Sequence, residues 1–139
     1  MGARRSGREA ALQMLFQIDA QGLDGAEAER TITLFFRSFE ADPEGKEYAE
    51  TIVRGVCADR AKIDAQIERA SNNWRIARMS RVDRNLLRLG TWELAHGDDQ
   101  PRAVILDEAV ELAKQFGSAD SSSFINGVLQ RIADLLNAK

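Results

Sequence analysis

Apolar side chains recur every three or four residues through almost the whole chain, and this spacing limits the fold more than any other feature. The pattern is clearest where apolar residues occupy positions i, i+3, i+4 and i+7, as do Ile32, Phe35, Phe36 and Phe39. Such spacing places the apolar side chains on one face of an α-helix. No segment alternates apolar and polar residues for long enough to predict a β-strand. We therefore predict an all-α fold.

Capping and helix-breaking residues divide this pattern into about seven helices. The first should begin near Gly7, because Ser6 and Glu9 have the spacing of a capping box. The remaining helices are expected around residues 32–39, over about 45–58, 59–70, 80–96 and 105–116, and from residue 120 onwards.

Glycines and an aspartate mark several of the predicted helix ends. Gly97 and Gly117 each follow a helix at the C′ position, where left-handed backbone is favoured. Asp120 should cap the last helix with its side chain. Loops are expected over residues 21–25 and 98–101, which are rich in glycine, aspartate and proline.

The length of 139 residues suits a single domain with one core. Hydrophobic residues make up 44% and charged residues 29%, which is a globular composition. Seven helices with short links predict a compact helical bundle. Either the turn at Gln100 and Pro101 or the connector at residues 74–79 would separate two helical clusters, and the connector would give subdomains of about 1–73 and 74–139.

Several classes of function find little support in the composition. Cys57 and His96 are the only residues of their types, so we predict no disulfide, no metal or cofactor site and no histidine-based catalysis. Asp107, Glu108 and Glu111 fit a solvated helix face, and no catalytic motif is present. Without a catalytic motif, we expect that the protein is not an enzyme. Without a secretory signal or a membrane-spanning apolar run, we expect it to be cytoplasmic.

Positive charge is concentrated in two short segments. Residues 1–8 carry +3 and residues 75–88 carry +4, which leaves −10 for the remainder of a chain with net charge −3. This distribution predicts a localised surface for an anion or a partner. Arg4, Arg5 and Arg8 would form either a disordered, solubilising tail or an arm that contacts RNA phosphates and becomes ordered on binding.

The helix that begins near Ser80 carries the second basic segment. A projection at 100° per residue separates the apolar Val82, Leu86 and Leu89 from a second face of Arg81, Arg84, Arg88 and Trp92. That second face is either a solvated charged surface or a surface that contacts a partner, since a tryptophan is unexpected on a purely solvated face.

Residues 114–127, which we call the junction, end one helix and begin the next. Ordinary stop and start signals explain part of it, and Phe116 and Phe124 fit core positions. The residues left over are Lys114, Ser121, Ser122, Ser123 and Asn126. Hydroxyl groups and free N–H donors there could hold phosphate or base edges, and a partly exposed phenylalanine could stack on an unpaired base. The Asp120 carboxylate would oppose phosphate.

Four sequence blocks resemble one known family. They are REAALQMLFQ at 8–17, VDRNLLRL with WEL at 82–94, EAVELAKQFG at 108–117, and Asp120 followed by FINGVL at 124–129. In this order they look like the NusB family of bacterial transcription antitermination factors. The resemblance implies an all-helical fold of two subdomains and a role without catalysis. That role is to bind boxA RNA of ribosomal RNA leaders with NusE, the ribosomal protein S10, and to join other Nus factors on RNA polymerase.

The resemblance also implies which residues bind. Together with the junction, it predicts RNA contacts at Arg4, Arg5, Arg8, Asn73, Trp74, Lys114, Phe116, Ser118, Asp120, Ser121, Ser122, Phe124 and Asn126. The same likeness predicts a NusE surface at Asp83, Arg84, Leu87, Arg88, Thr91 and Trp92. A homodimer is also possible in this family.

Two alternatives remain open at this point. One is a helical protein–protein scaffold that does not depend on RNA. The other is a stand-alone relative of the RNA-binding domain of ribosomal RNA cytosine methyltransferases. Because the chain ends at Lys139, we expect no nucleotide-cofactor domain and no methyltransferase activity.

Overall fold

The computed structural model describes residues 2–22, 27–38, 42–97 and 100–137, and its regular structure is helical throughout these ranges. Within these ranges seven α-helices follow one another: α1 (Gly2–Ala20), α2 (Ala28–Ser38), α3 (Pro43–Ala58), α4 (Arg60–Ala70), α5 (Arg81–His96), α6 (Arg102–Phe116) and α7 (Ser121–Asn137). The predicted all-α fold is confirmed. Phe39 and parts of the predicted loops at 21–25 and 98–101 lie outside the described residues. None of the described helices has the length and apolar character needed to cross a membrane.

The chain forms two compact units, Met1–Asp59 and Arg60–Lys139. We predicted the division near residues 73–74, so the structure assigns α4 to the second unit instead. Helix α4 belongs to the second unit because it packs on α5 and α7. Its apolar residues Ile63 and Ile67 are buried.

The first unit is built on the packing of α1 against α3. A Cβ added to Gly7 would lie 2.8 Å from the Gly45 carbonyl oxygen, so glycine permits a very close approach of the two backbones. The Asp42 side chain accepts the Gly45 N–H at 2.7 Å and thereby caps α3. On the surface, hydrogen bonds from Arg54 lower the pKa of Glu29.

Helix α1 begins at Gly2 and not near Gly7, so the predicted capping box at Ser6 and Glu9 is wrong. The local capping signal is overridden because the first turns pack against α3. An ideal Cβ on Gly45 would approach the Ala3 carbonyl oxygen to 3.0 Å. The predicted arginine arm is therefore part of a regular helix.

The second unit surrounds α5, which packs on α4, α6 and α7. Ser80 caps α5 as predicted, and its hydroxyl accepts the Asp83 N–H at 3.1 Å. Every residue from 85 to 91 is buried. Buried polar groups belong to this core: the Arg88 guanidinium is paired with Asp64 of α4 at 2.8 Å.

Two glycines predicted to be left-handed are not. Gly97 has φ −88° and Gly117 has φ −96°. Neighbouring atoms lie too close to both positions for a side chain. A Cβ on Gly97 would lie 2.7 Å from the Glu93 carbonyl oxygen, and one on Gly117 would lie 2.5 Å from Ser121 Oγ. Among the described residues, positive φ occurs at Gly22, Asn72 and Asn73.

Candidate functional site

Two consecutive asparagines end α4 and set the direction of the chain that follows. Asn72 and Asn73 have φ of 57° and 65°, a conformation that asparagine tolerates better than most residues. The Asn73 N–H donates to the Glu68 carbonyl at 2.7 Å, which is the hydrogen bond of a Schellman motif. The asparagine pair in the sequence was a signal of a helix end, and the motif fixes the position of the next residue, Trp74.

The connector after Trp74 is held by side chains from both neighbouring helices. Ser71 Oγ donates to the Trp74 carbonyl at 3.2 Å, and Glu68 Oε2 accepts the Ile76 N–H at 2.9 Å. From α5, Arg84 Nη1 lies 3.4 Å from the Met79 carbonyl oxygen. Residues 76–78 form a 3₁₀ turn within this segment. Trp74 is therefore attached to a backbone that is irregular but held in place by these hydrogen bonds.

The structure brings Trp74 into contact with Phe124 of α7. The two ring centroids are 5.1 Å apart and the planes are inclined by 59°. Trp74 is 49% exposed and Phe124 is half-buried, so the pair presents ring surface to solvent. We call these two residues the aromatic platform. Their sequence separation concealed the contact, although each was predicted to bind RNA.

The turn between α6 and α7 is organised by two serines. Ser121 Oγ accepts the Ser118 N–H at 2.9 Å and lies 3.2 Å from Ser118 Oγ. The same hydroxyl donates to Asp83 Oδ1 of α5 at 2.7 Å. Ser121 is only 2% exposed, so its hydroxyl is used within the protein. Ser121, which was grouped by sequence with the RNA-binding residues, therefore has its hydroxyl directed to Asp83 and Ser118.

Asp120 lies immediately before α7, and its carbonyl accepts the Phe124 N–H at 3.2 Å. Its carboxylate is exposed and has no hydrogen-bond or ion-pair partner within the described part of the chain. The predicted side-chain cap by Asp120 is therefore absent, because the Ser118–Ser121 hydrogen bonds organise this turn instead. The carboxylate adds negative charge to the surface at the start of α7.

The other predicted junction residues lie on or near the surface. Phe116 is 36% exposed at the end of α6, and Ser122 is half-buried. Lys114 is exposed, with its ammonium 3.4 Å from Glu111, so its charge is partly compensated. Asn126 Oδ1 lies 3.4 Å from Gln130 Nε2. No cluster of three or more potential metal ligands occurs among the described residues.

The arginines of α1 differ in their exposure. The guanidinium groups of Arg4 and Arg8 lie 5.5 and 5.6 Å from the ring centroid of Tyr48, which is within the range of cation–π contacts. Arg8 is 3% exposed, Arg4 is half-buried, and Arg5 is exposed. Tyr48 was not predicted to take part, since only packing of α3 on α1 brings it there.

Half of the residues predicted to form a partner surface on α5 are buried in the structure. Leu87, Arg88 and Thr91 are buried, with 3% or less of each residue exposed. The 100° projection failed because α5 is covered by three helices, so that both of its faces pack. Arg88 binds Asp64 with two hydrogen bonds and also donates to Asn85 Oδ1 at 2.9 Å. The other three predicted residues, Asp83, Arg84 and Trp92, are half-buried.

Two further features of α5 were not predicted. The Trp92 ring stacks on the His96 ring, with centroids 4.8 Å apart and planes inclined by 16°. The spacing of four residues was the available signal, because such residues are neighbours on a helix. Thr91 Oγ1 is buried without a hydrogen-bond partner in the described structure.

Both the sequence and the fold resemble known proteins. The family model described as the NusB family matches residues 5–134. The transcription antitermination protein NusB of Sorangium cellulosum (strain So ce56) is 57% identical over 136 residues, which cover 98% of this chain and 95% of that protein. T. maritima NusB has a TM-score of 0.82 and 36% identity, covering 94% of this chain and 90% of its own. A structure of NusB and NusE in complex with dsRNA has a TM-score of 0.81 and 26% identity, covering 97% and 98%.

Proposed function

We propose, from the premise that this chain belongs to the NusB family, that it is a transcription antitermination factor which binds RNA together with NusE. The family resemblance seen in the sequence is confirmed by these relatives. The specific RNA we propose is the boxA element of ribosomal RNA leaders, and NusE is the ribosomal protein S10. With both bound, the protein would join the other Nus factors on RNA polymerase.

The observation that carries the RNA-binding proposal is the exposed aromatic platform of Trp74 and Phe124. Proteins recognise single-stranded RNA by stacking unpaired bases on aromatic rings and by hydrogen bonds to base edges. Trp74 lies on a connector that hydrogen bonds hold in place, and its ring contacts Phe124 of α7, so the two rings are positioned before RNA arrives. Preorganisation of this kind reduces the entropy lost on binding. Asn73 and the polar groups of Ser118, Ser122 and Asn126 are the proposed neighbours for base edges.

Phosphate contacts are proposed for the basic residues. Arg5 is the best candidate on α1 because its side chain is exposed, whereas Arg8 is buried with its guanidinium over the Tyr48 ring. Lys114 is exposed at the end of α6. Such contacts would supply affinity that depends on salt and not on sequence.

The proposed NusE surface is smaller than the predicted one. Asp83, Arg84 and Trp92 retain exposed surface, whereas Leu87, Arg88 and Thr91 would support the surface from within. One solved relative is a complex with NusE and dsRNA, which supports a shared NusE and RNA role for this fold.

Filter binding tests the proposal directly. Labelled boxA RNA and a scrambled RNA of equal composition are titrated with the protein, alone and with NusE. We expect tighter binding to boxA, and a further gain when NusE is added. Equal binding of both RNAs with no gain from NusE would contradict the proposal. If NusE binds in a separate pull-down while the RNAs are not distinguished, the protein is a protein–protein scaffold instead.

A further inference from the structure

The first turn of α5 reaches the turn between α6 and α7 through a hydrogen bond from Ser121 to Asp83. Asp83 Oδ1 accepts from Ser121 Oγ at 2.7 Å. A serine hydroxyl has one proton, so with that proton directed to Asp83 the same oxygen must accept from Ser118. It accepts the Ser118 N–H at 2.9 Å, and the Ser118 hydroxyl at 3.2 Å must then be the donor. A carboxylate on α5 therefore terminates a short chain of hydrogen bonds that orders this turn.

The surroundings leave Ser121 little freedom to leave this arrangement. The residue is 2% exposed. A Cβ on Gly117 would lie 2.6 Å from Ser121 Cβ and 2.5 Å from its Oγ, which shows how closely the Gly117 backbone covers the serine. The rotamer that reaches Asp83 is therefore enclosed. The backbone it orders leads directly into the first turn of α7, which carries Phe124.

We infer that Asp83 is a positioning residue for the proposed RNA-binding junction and acts through Ser121. The inference rests on the proposed function, because RNA binding is the property that Asp83 would affect. Its carboxylate charge and its hydrogen bond have opposite effects on that property. The negative charge repels phosphate, whereas the hydrogen bond to an ionised acceptor holds the turn more firmly than a neutral one would.

This opposition makes two substitutions at one position informative. Asp83→Asn removes the charge but keeps an oxygen that can accept the Ser121 proton. Asp83→Ala removes both. If the hydrogen bond positions the turn, Asn retains or improves the affinity for boxA RNA and Ala weakens it, by about fivefold. If only the charge matters, both substitutions tighten binding.

The experiment measures the Kd for boxA RNA without NusE, so that any partner contact made by Asp83 does not contribute. Asp83→Ala, Asp83→Asn, Ser121→Ala and the double variant Asp83→Ala/Ser121→Ala are compared. We expect both alanine variants to weaken binding, and the double variant to be no weaker than Ser121→Ala, because Ser121→Ala already removes the hydrogen bond to Asp83. Amide exchange of Ser118 should accelerate in both alanine variants. Asp134→Ala is the matched control, since this carboxylate accepts a hydrogen bond from Arg102 at 2.7 Å elsewhere in the same unit.

Failure of the inference and failure of the proposed function have different signatures. If the unchanged protein does not prefer boxA over scrambled RNA, the proposed function is wrong. If it prefers boxA and Asp83→Ala binds as tightly as the unchanged protein, the positioning role is wrong. Equal losses in Asp83→Ala and Asp83→Asn would also overturn it. If Asp83→Ala fails to fold, Ser121→Ala tests loss of the hydrogen bond and Asp83→Asn tests loss of the charge. The inference then predicts weaker binding for Ser121→Ala and retained or tighter binding for Asp83→Asn.

Discussion

The arginine end of α1 and the aromatic platform present binding groups in contrasting ways. On α1 the arginines extend from a regular helix, and Arg4 and Arg8 lie over the ring of Tyr48 from α3. At the platform the aromatic rings come from an irregular connector and from the beginning of α7. A helix is sufficient to display charge, whereas positioning Trp74 requires left-handed backbone at the residue before it.

The contrast suggests a division between affinity and selectivity. Attraction between a guanidinium group and phosphate tolerates small displacements and carries no sequence information. Stacking and base-edge hydrogen bonds depend on the position of each ring and each polar group. Changes at α1 should therefore affect all RNAs alike, whereas changes at the platform should affect boxA more than a scrambled sequence.

The largest expected effects come from replacing glycine by alanine, which adds one methyl group in each of the two regions. Gly117→Ala places a Cβ 2.5 Å from Ser121 Oγ, and Gly7→Ala places one 2.8 Å from the Gly45 carbonyl oxygen. Each should lower the free energy of unfolding by about 2 kcal/mol in urea titrations, because a tightly packed contact must open. Only Gly117→Ala should also reduce the preference for boxA. Gly127→Ala is the control: an added Cβ meets no atom within 4 Å, and stability should rise by about 0.5–1 kcal/mol.

If Gly7→Ala reduced the preference for boxA as much as Gly117→Ala, the proposed division between the two regions would be wrong. Both variants are to be measured at a temperature at which circular dichroism shows each to be folded.

Removal of one ring tests the platform itself. Trp74→Ala should weaken binding to boxA by about tenfold, since stacking contributes roughly 1–3 kcal/mol per base. Leu135→Ala is the matched control, because Leu135 is also 49% exposed in the second unit but lies near the end of α7. Electrophoretic mobility shifts with boxA and scrambled RNA measure both. An equal loss for Leu135→Ala would indicate that exposed apolar area, and not this ring, is responsible.

Salt titration tests the arginine end of α1. Arg5→Ala should reduce the slope of log K against log salt concentration by about 0.7, the value for one phosphate contact with single-stranded nucleic acid. The loss should be the same for boxA and scrambled RNA. Arg37→Ala is the control, as an exposed arginine at the end of α2 in the same unit. An unchanged slope for Arg5→Ala would exclude Arg5 as a phosphate contact.

The smallest expected effect is a gain. Asp120→Asn should tighten binding to RNA by about twofold, because the substitution removes an exposed carboxylate that would repel RNA phosphates. The gain is small because solvent screens most of this repulsion. The structure adds an expectation about stability. Because the carboxylate does not cap α7, the thermal midpoint should stay the same. Weaker binding by a protein with an unchanged midpoint would contradict the electrostatic argument.

Much of the fold follows from local chemistry that the sequence displays. Helix α5 has the predicted cap at Ser80 and the predicted end at His96. Helix α1 departs from prediction because its first turns are stabilised by α3 and need no capping box. Local signals are decisive where a helix end is exposed, and tertiary packing is decisive where the end is covered.

The candidate site was predicted less completely than the fold. Ser118 and Ser121 come from one segment, and the sequence could place them together; the structure shows them hydrogen-bonded to each other. Arg88 was assigned to a surface because a single-helix projection cannot include Asp64, which comes from α4. The Ser121 hydroxyl was assigned to a ligand because nothing in the sequence indicated that Asp83 would lie 2.7 Å away.

The sequence by itself determined that the chain is all-helical and where most of its helices lie, because period, caps and breakers act over a few residues. Its four sequence blocks also indicated the family. Only the tertiary structure decided that Trp74 meets Phe124, that Arg88 is buried with Asp64, and that Asp83 holds Ser121. Each of these contacts joins residues from separate elements. Its formation depends on how those elements pack, and side-chain spacing along one helix carries no information about the neighbour that covers it.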